Sequence, residues 1–119
     1  MKKVAYLRKE KETVEIDYPL GEIWAAIPKA LTSLEWAVEQ VDDKAHHVKA
    51  KTKAGFMSYA SMLLIDAVPV DEKTARVTVT AETPVTTITS IADFGRTRDR
   101  IESFFRALAK QLMNYTKSN

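Results

Sequence analysis

Ser58-Tyr59-Ala60-Ser61-Met62-Leu63-Leu64-Ile65-Asp66-Ala67-Val68, a turn from Pro69 through Asp71-Glu72-Lys73, then Arg76-Val77-Thr78-Val79-Thr80-Ala81: these residues decide the fold class. The first run is largely apolar at both parities, with Ala60, Met62 and Leu64 facing one way and Ser61, Leu63 and Ile65 the other. That is the pattern of a central strand covered on both faces. The second run alternates strictly, as a half-buried strand does. Proline and turn-forming acidic residues between them predict an antiparallel hairpin.

Upstream, His46 to Lys53 alternates, and Trp36-Ala37-Val38-Glu39-Gln40-Val41 reads as another strand, with Asp42-Asp43-Lys44 supplying the turn of a second hairpin. From Leu20 to Leu34, Ile23, Ile27, Leu31 and Leu34 recur at helical spacing, widened by Trp24 and Ala30. Pro28 lies inside that helix and cannot donate to the Trp24 carbonyl, so a kink or two short pieces is expected. Thr13 to Tyr18 alternates as a first strand after a charged lead-in, Arg8 to Glu12. Downstream, the threonine-rich stretch Thr83 to Ser90, broken early by Pro84, is either a short edge strand or an extended connector, the connector being favoured. A last helix carries Ile101, Phe104, Phe105, Leu108 and Leu112 on one stripe, with Glu102 and Arg106 at pairing distance outside it. Both stripes need cover, and only a sheet face is large enough to give it. The expectation is an α+β fold, β-α-β(4)-α, a curved antiparallel sheet with two helices packed on one face. One domain is expected to span 1–119.

Composition narrows the function classes. The chain has 119 residues, 45% hydrophobic and 29% charged, which suits a globular domain with its own core. It has no cysteine, which excludes thiolate catalysis and Cys-ligated zinc and suits a reducing compartment. The net charge is +2 from 18 basic and 16 acidic residues, too balanced to indicate a polyanionic partner without a local patch. Met1-Lys2-Lys3-Val4-Ala5-Tyr6-Leu7-Arg8 has too short an apolar patch for a secretory signal, and no apolar run nears the ~20 residues of a bilayer span. A soluble, cytoplasmic protein without membrane partners is expected.

The order of elements, the passage from Ile23-Trp24-Ala25-Ala26-Ile27 through Leu34-Glu35-Trp36, and the terminal helix introduced by Asp93-Phe94-Gly95-Arg96 carry a resemblance. In architecture the chain resembles the small β-α-β(4)-α domains of the fold group that includes the TATA-binding-protein repeat and the START-type helix-grip domains. The helix-grip side of this resemblance implies an apolar hollow between helix and sheet, shallower here because the chain is short for a full domain. The TATA-binding side implies that the sheet face opposite the helices could meet nucleic acid.

Candidate residues follow from both. Trp24, Trp36, Phe56, Tyr59 and Met62, with Met57, could line a cavity between the bent first helix and the sheet, although aromatics at such spacing are ordinarily core. His47, Lys49, Lys51 and Lys53 share parity on one strand, and Arg76 could extend their row; this is the nucleic-acid alternative. Glu15 and Asp17 on a polar strand face weigh against it, as does the scarcity of stacking aromatics. Arg96, Arg98 and Arg100 could hold an anion at a helix start, yet Asp93, Asp99 and Glu102 are close enough to neutralise them. His46 and His47 are adjacent, so on a strand they diverge and no metal site is expected. No nucleophile elbow, phosphate loop or paired carboxylates stand out, and neither catalytic residues nor a cofactor is assigned. The leading expectation is a binding or interaction domain, taking a small apolar ligand in a groove between helix and sheet or self-associating. Nucleic-acid binding ranks second, and an enzyme acting on a small hydrophobic substrate third.

Overall fold

The computed structural model describes residues 6–53, 60–85 and 95–117. Its elements are β1 (Tyr6–Ile16), α1 (Leu20–Ser33), β2 (Ala37–Asp42), β3 (His47–Lys51), β4 (Met62–Pro69), β5 (Ala75–Val85) and α2 (Arg96–Lys117). The strands form one antiparallel sheet in the order β1-β5-β4-β3-β2. The α+β order expected from the sequence is therefore the one observed, with β4 at the sheet's centre.

Both helices lie on one face. Ile23, Ile27 and Leu31 of α1 share a fully buried core with Leu63 and Ile65 of β4, Val77 and Val79 of β5, and Ile101, Phe104 and Leu108 of α2. Each buried Leu, Ile or Phe contributes roughly 1.5–3 kcal/mol relative to leaving it in water. Alternation puts Met62, Leu64, Asp66 and Val68 on the opposite, outer face. On that face three side-chain pairs match the β1–β5 register: Lys9 with Glu82 at 3.4 Å, Thr13 with Thr78 at 3.1 Å, and Glu15 with Arg76 at 2.8 Å.

Helix α1 ends in a tightly specified way. The Trp36 N–H donates to the Leu31 carbonyl at 3.0 Å and the Glu35 N–H to that of Thr32 at 2.9 Å, while Glu35 takes φ 60°. This is a Schellman cap with glutamate where glycine is usual. It turns the chain from helix into β2, so the Leu34-Glu35-Trp36 passage has a geometric role.

Several expectations need correction. Strand β1 runs from Tyr6 to Ile16, so Arg8 to Glu12 is strand and not lead-in, while Asp17 and Tyr18 follow it. Strand β5 runs to Val85, so Thr83, Pro84 and Val85 are strand where a connector was expected; residues 86–90 lie outside the described residues. Pro84 is tolerated because the ladder between β5 and β4 ends at Glu82. Strand β4 starts at Met62, with Ala60 and Ser61 preceding it and residues 58–59 outside the described residues. Strand β3 is shorter than His46 to Lys53, since His46 belongs to the turn with φ 52° and Lys53 follows the strand. Helix α1 continues through Pro28 as one element, so of the two alternatives the pair of short pieces is not what forms. Glu102 pairs with Arg98 at 4.0 Å, not with Arg106.

Candidate functional site: an apolar groove between β1 and α2

The inward residues of β1 change character along the strand. Arg8, Glu10 and Glu12 occupy its first half, Val14 and Ile16 its second. Helix α2 carries a matching pair of zones. Arg98 reaches Glu10 at 3.6 Å and Glu12 at 3.9 Å, tying the start of the helix to the charged half of the strand. Further along, Phe105, Ala109, Leu112 and Met113 repeat at three- and four-residue intervals beside the deeper Ile101, Phe104 and Leu108 stripe. Because β1 is the edge strand of the described sheet, no described strand closes this side. The result is a groove of about 470 Å³ lined by Val14, Ile16, Tyr18, Phe105, Leu112 and Met113, with Glu12, Glu102 and Arg106 at its margin. That volume lies within the roughly 300–1,000 Å³ range of small-molecule sites. A larger hollow of about 610 Å³, between Asp17 and the Asp71 to Thr74 turn, is an open polar surface without such a lining.

A polar cluster marks the other end of the sheet. Ser61, Thr83 and Thr97 are fully buried, and Thr52 nearly so. Arg100 donates to the Ser61 hydroxyl, which contacts the Thr83 hydroxyl, which in turn lies 3.0 Å from that of Thr97. A guanidinium can only donate. With Ser61 accepting from Arg100, its own proton is available for Thr83, and the Thr83 proton for Thr97. The Ser61 N–H donates to Thr52 Oγ1 at 2.8 Å, and the Thr52 N–H to the Ser61 carbonyl at 2.9 Å, joining the start of β4 to the end of β3. Arg8 stands opposite Thr83 in the register. Among the described residues, hydrogen bonds link these side chains at this end of the core.

Of the cavity candidates, the described ones, Trp24, Trp36 and Met62, do not gather in one place. Trp24 is partly buried, its indole N–H donating to Asp43 Oδ1 at 3.1 Å and its ring meeting His46 edge-on at 5.1 Å. It thus closes the β2–β3 turn against α1. Trp36 packs on the edge of the core after the helix cap. Met62 is on the outer face, across the sheet from both helices. Phe56, Met57 and Tyr59 lie outside the described residues. Beneath α1 itself, Ile23, Ala26, Ile27, Ala30 and Leu31 are all buried, so the sheet is in close contact there. The groove residues are partly visible in the sequence, since its alternation puts Val14, Ile16 and Tyr18 at one parity and Phe105 and Leu112 lie on a helical stripe, although Tyr18 falls just past the end of β1. Ala109 and Met113 broaden that stripe beyond what the core alone uses, and this excess width was the missed signal.

The basic row is partly matched by acidic neighbours. His47 Nδ1 lies 2.7 Å from Asp66, Lys53 Nζ 3.2 Å from Glu35, and Arg76 2.8 Å from Glu15. Lys49 and Lys51 sit between them, opposite Leu64 and Met62 on β4. Of the helix-start arginines, Arg98 is absorbed by Glu10, Glu12 and Glu102, and Arg100 by the hydroxyl cluster. No group of three or more metal-ligating side chains occurs among the described residues. No described helix is long and apolar enough to cross a membrane.

No protein-family model matches the sequence, and no curated relative matches it either. Solved structures do match in fold. A norcoclaurine synthase point mutant from Thalictrum flavum, in complex with a transition-state analogue, superposes with a TM-score of 0.66 at 12% identity, covering 98% of this chain and 99% of that one. The Zhui aromatase/cyclase from Streptomyces sp. R1128 gives 0.55 at 11% identity, covering 92% and 90%. The di-domain ARO/CYC BexL from the BE-7585A biosynthetic pathway gives 0.62 at 13% identity, covering 89% of this chain and 46% of that one. At such identities the likeness establishes architecture: the chain has a helix-grip fold with an open, five-stranded sheet.

Proposed function

We propose that this chain binds a small, largely apolar molecule in the groove between β1 and α2. The observation that carries the reading is the groove itself: about 470 Å³ with an aliphatic and aromatic lining, held between an edge strand and the terminal helix. In support, the helix-grip fold is shared with norcoclaurine synthase and with aromatase/cyclases, whose names denote work on small organic molecules. A flat ring or short alkyl chain suits the lining, because dispersion and burial of apolar area would dominate its binding. Glu12, Glu102 and Arg106 at the margin leave room for a polar end that stays in water.

Isothermal titration with 2-naphthol, a neutral aromatic probe, tests the reading. Micromolar to low-millimolar binding is expected for the native chain. Ala109→Trp, which fills the groove from an exposed helix position, should abolish the binding while the thermal midpoint stays within a few degrees. Native-strength binding by Ala109→Trp would show that the groove is not the site.

A further inference from the structure

We infer that β1 is also a self-pairing edge, by which two copies of this chain join their sheets in one particular register. Strand β1 is 11 residues long and pairs with β5, and no other described strand takes the backbone groups of its second edge. An open edge of that length recruits another strand unless its side chains prevent it. In a two-fold pair about an axis normal to the sheet, each face stays continuous, so residues that meet must have the same parity. Only a few alignments then exist, and charge separates them.

Centring the pair on Lys11 sets Lys11 against its copy and Glu10 against Glu12. Centring it on Glu10 or on Glu12 sets that glutamate against itself. Centring it on Val14 avoids like charges but forms no ion pair within the strand, whereas centring it on Thr13 avoids them and forms two: Lys11 meets Glu15 of the second copy twice, Thr13 meets Thr13, and Glu12 and Glu10 face Val14 and Ile16. This alignment overlaps residues 10 to 16. Its cations are also available, since Lys11 is exposed and has no ion-pair partner among the described residues, in contrast to Lys9, which is held by Glu82. Glu15, already held by Arg76, would lie between two cations.

The same junction covers apolar surface. The groove lies directly inside β1, and Met113 at its rim is 57% exposed. A second copy paired at Thr13 brings its own Val14 and α2 alongside, so the two grooves meet across the joined sheets. The pairing is independent of any ligand: it needs the edge and the charges, not an occupant.

Sedimentation velocity on the full chain over a concentration series tests it, with circular dichroism to verify that each variant folds. The native chain should dimerise. Lys11→Glu and Glu15→Lys should each raise the dissociation constant about tenfold or more, because each turns two attractive cross-pairs repulsive. The double swap, Lys11→Glu with Glu15→Lys, should restore native association. A native monomer at millimolar concentration, or a double swap no tighter than the single variants, would overturn the proposal. Hydrogen exchange on the native chain gives a reading free of mutation: amides from 10 to 16 should gain protection as concentration rises, and concentration-independent exchange there would overturn it equally. Loss of 2-naphthol binding in Ala109→Trp bears on the ligand reading alone, so the two claims fail separately.

Discussion

Two individual residues show where this sequence departs from the easiest local choice. Glu35 holds the left-handed position of the α1 cap, where an L side chain is strained by roughly 1–2 kcal/mol. Glu35→Gly should relieve that strain and also break an exposed ion pair with Lys53, which contributes little. Urea denaturation should show a net gain of up to about 1 kcal/mol, after the larger backbone entropy of glycine in the unfolded chain is offset. Thr83 stands at the opposite extreme, fully buried with its hydroxyl between those of Ser61 and Thr97. Thr83→Val keeps the shape but leaves Ser61 and Thr97 each short of a partner, so a loss of about 1–3 kcal/mol is expected in the same measurement. Neither role was legible in the sequence. A left-handed glutamate carries no mark of its own, and Thr83 sat in a threonine-rich stretch that Pro84 made look like a connector.

Among the elements, α1 and α2 are legible because an apolar stripe at helical spacing is a strong, local signal. The same holds for the two hairpins, whose alternation and turn residues agree. Strand β1 was cut short because Arg8 to Glu12 alternates in charge rather than in hydropathy, and an edge strand can afford that where an inner one cannot. Its inward Glu10 and Glu12 are satisfied by Arg98, a partner that lies far along the chain and so is invisible to any local pattern. Pro28 makes its own prediction. Helix α1 runs through it, so the Trp24 carbonyl lacks its intrahelical donor and the turn is crowded. Pro28→Ala at this exposed position should stabilise the protein by about 1–3 kcal/mol, read from thermal or urea unfolding. In α2, Leu108→Ala should remove about 2–5 kcal/mol, because Leu108 is fully buried between both helices' stripes and the sheet.

For the whole molecule, two helices on one face of an open sheet leave two unlike ends. Under α1 the sheet is sealed by Ile23, Ile27 and Leu31. Beside β1 it is not, and the terminal helix spans the gap with a second, shallower stripe. The sequence suggests a hollow between helix and sheet and draws attention to its tryptophans and methionines, whereas Val14, Ala109 and Met113 carry no such mark. Where a hollow forms depends on which strand lacks a neighbour, and that is a property of strand order rather than of any segment. The fold was therefore largely readable from local patterns, while the groove depended on topology.

The most direct test of the β1–α2 groove is a two-dimensional amide NMR titration of the native chain with 2-naphthol. Shifts concentrated at Ile16, Phe105, Ala109 and Met113, with Trp24 and Trp36 unmoved, are the predicted result. Shifts centred instead on Trp24 and Trp36, or none at saturating probe, would contradict it.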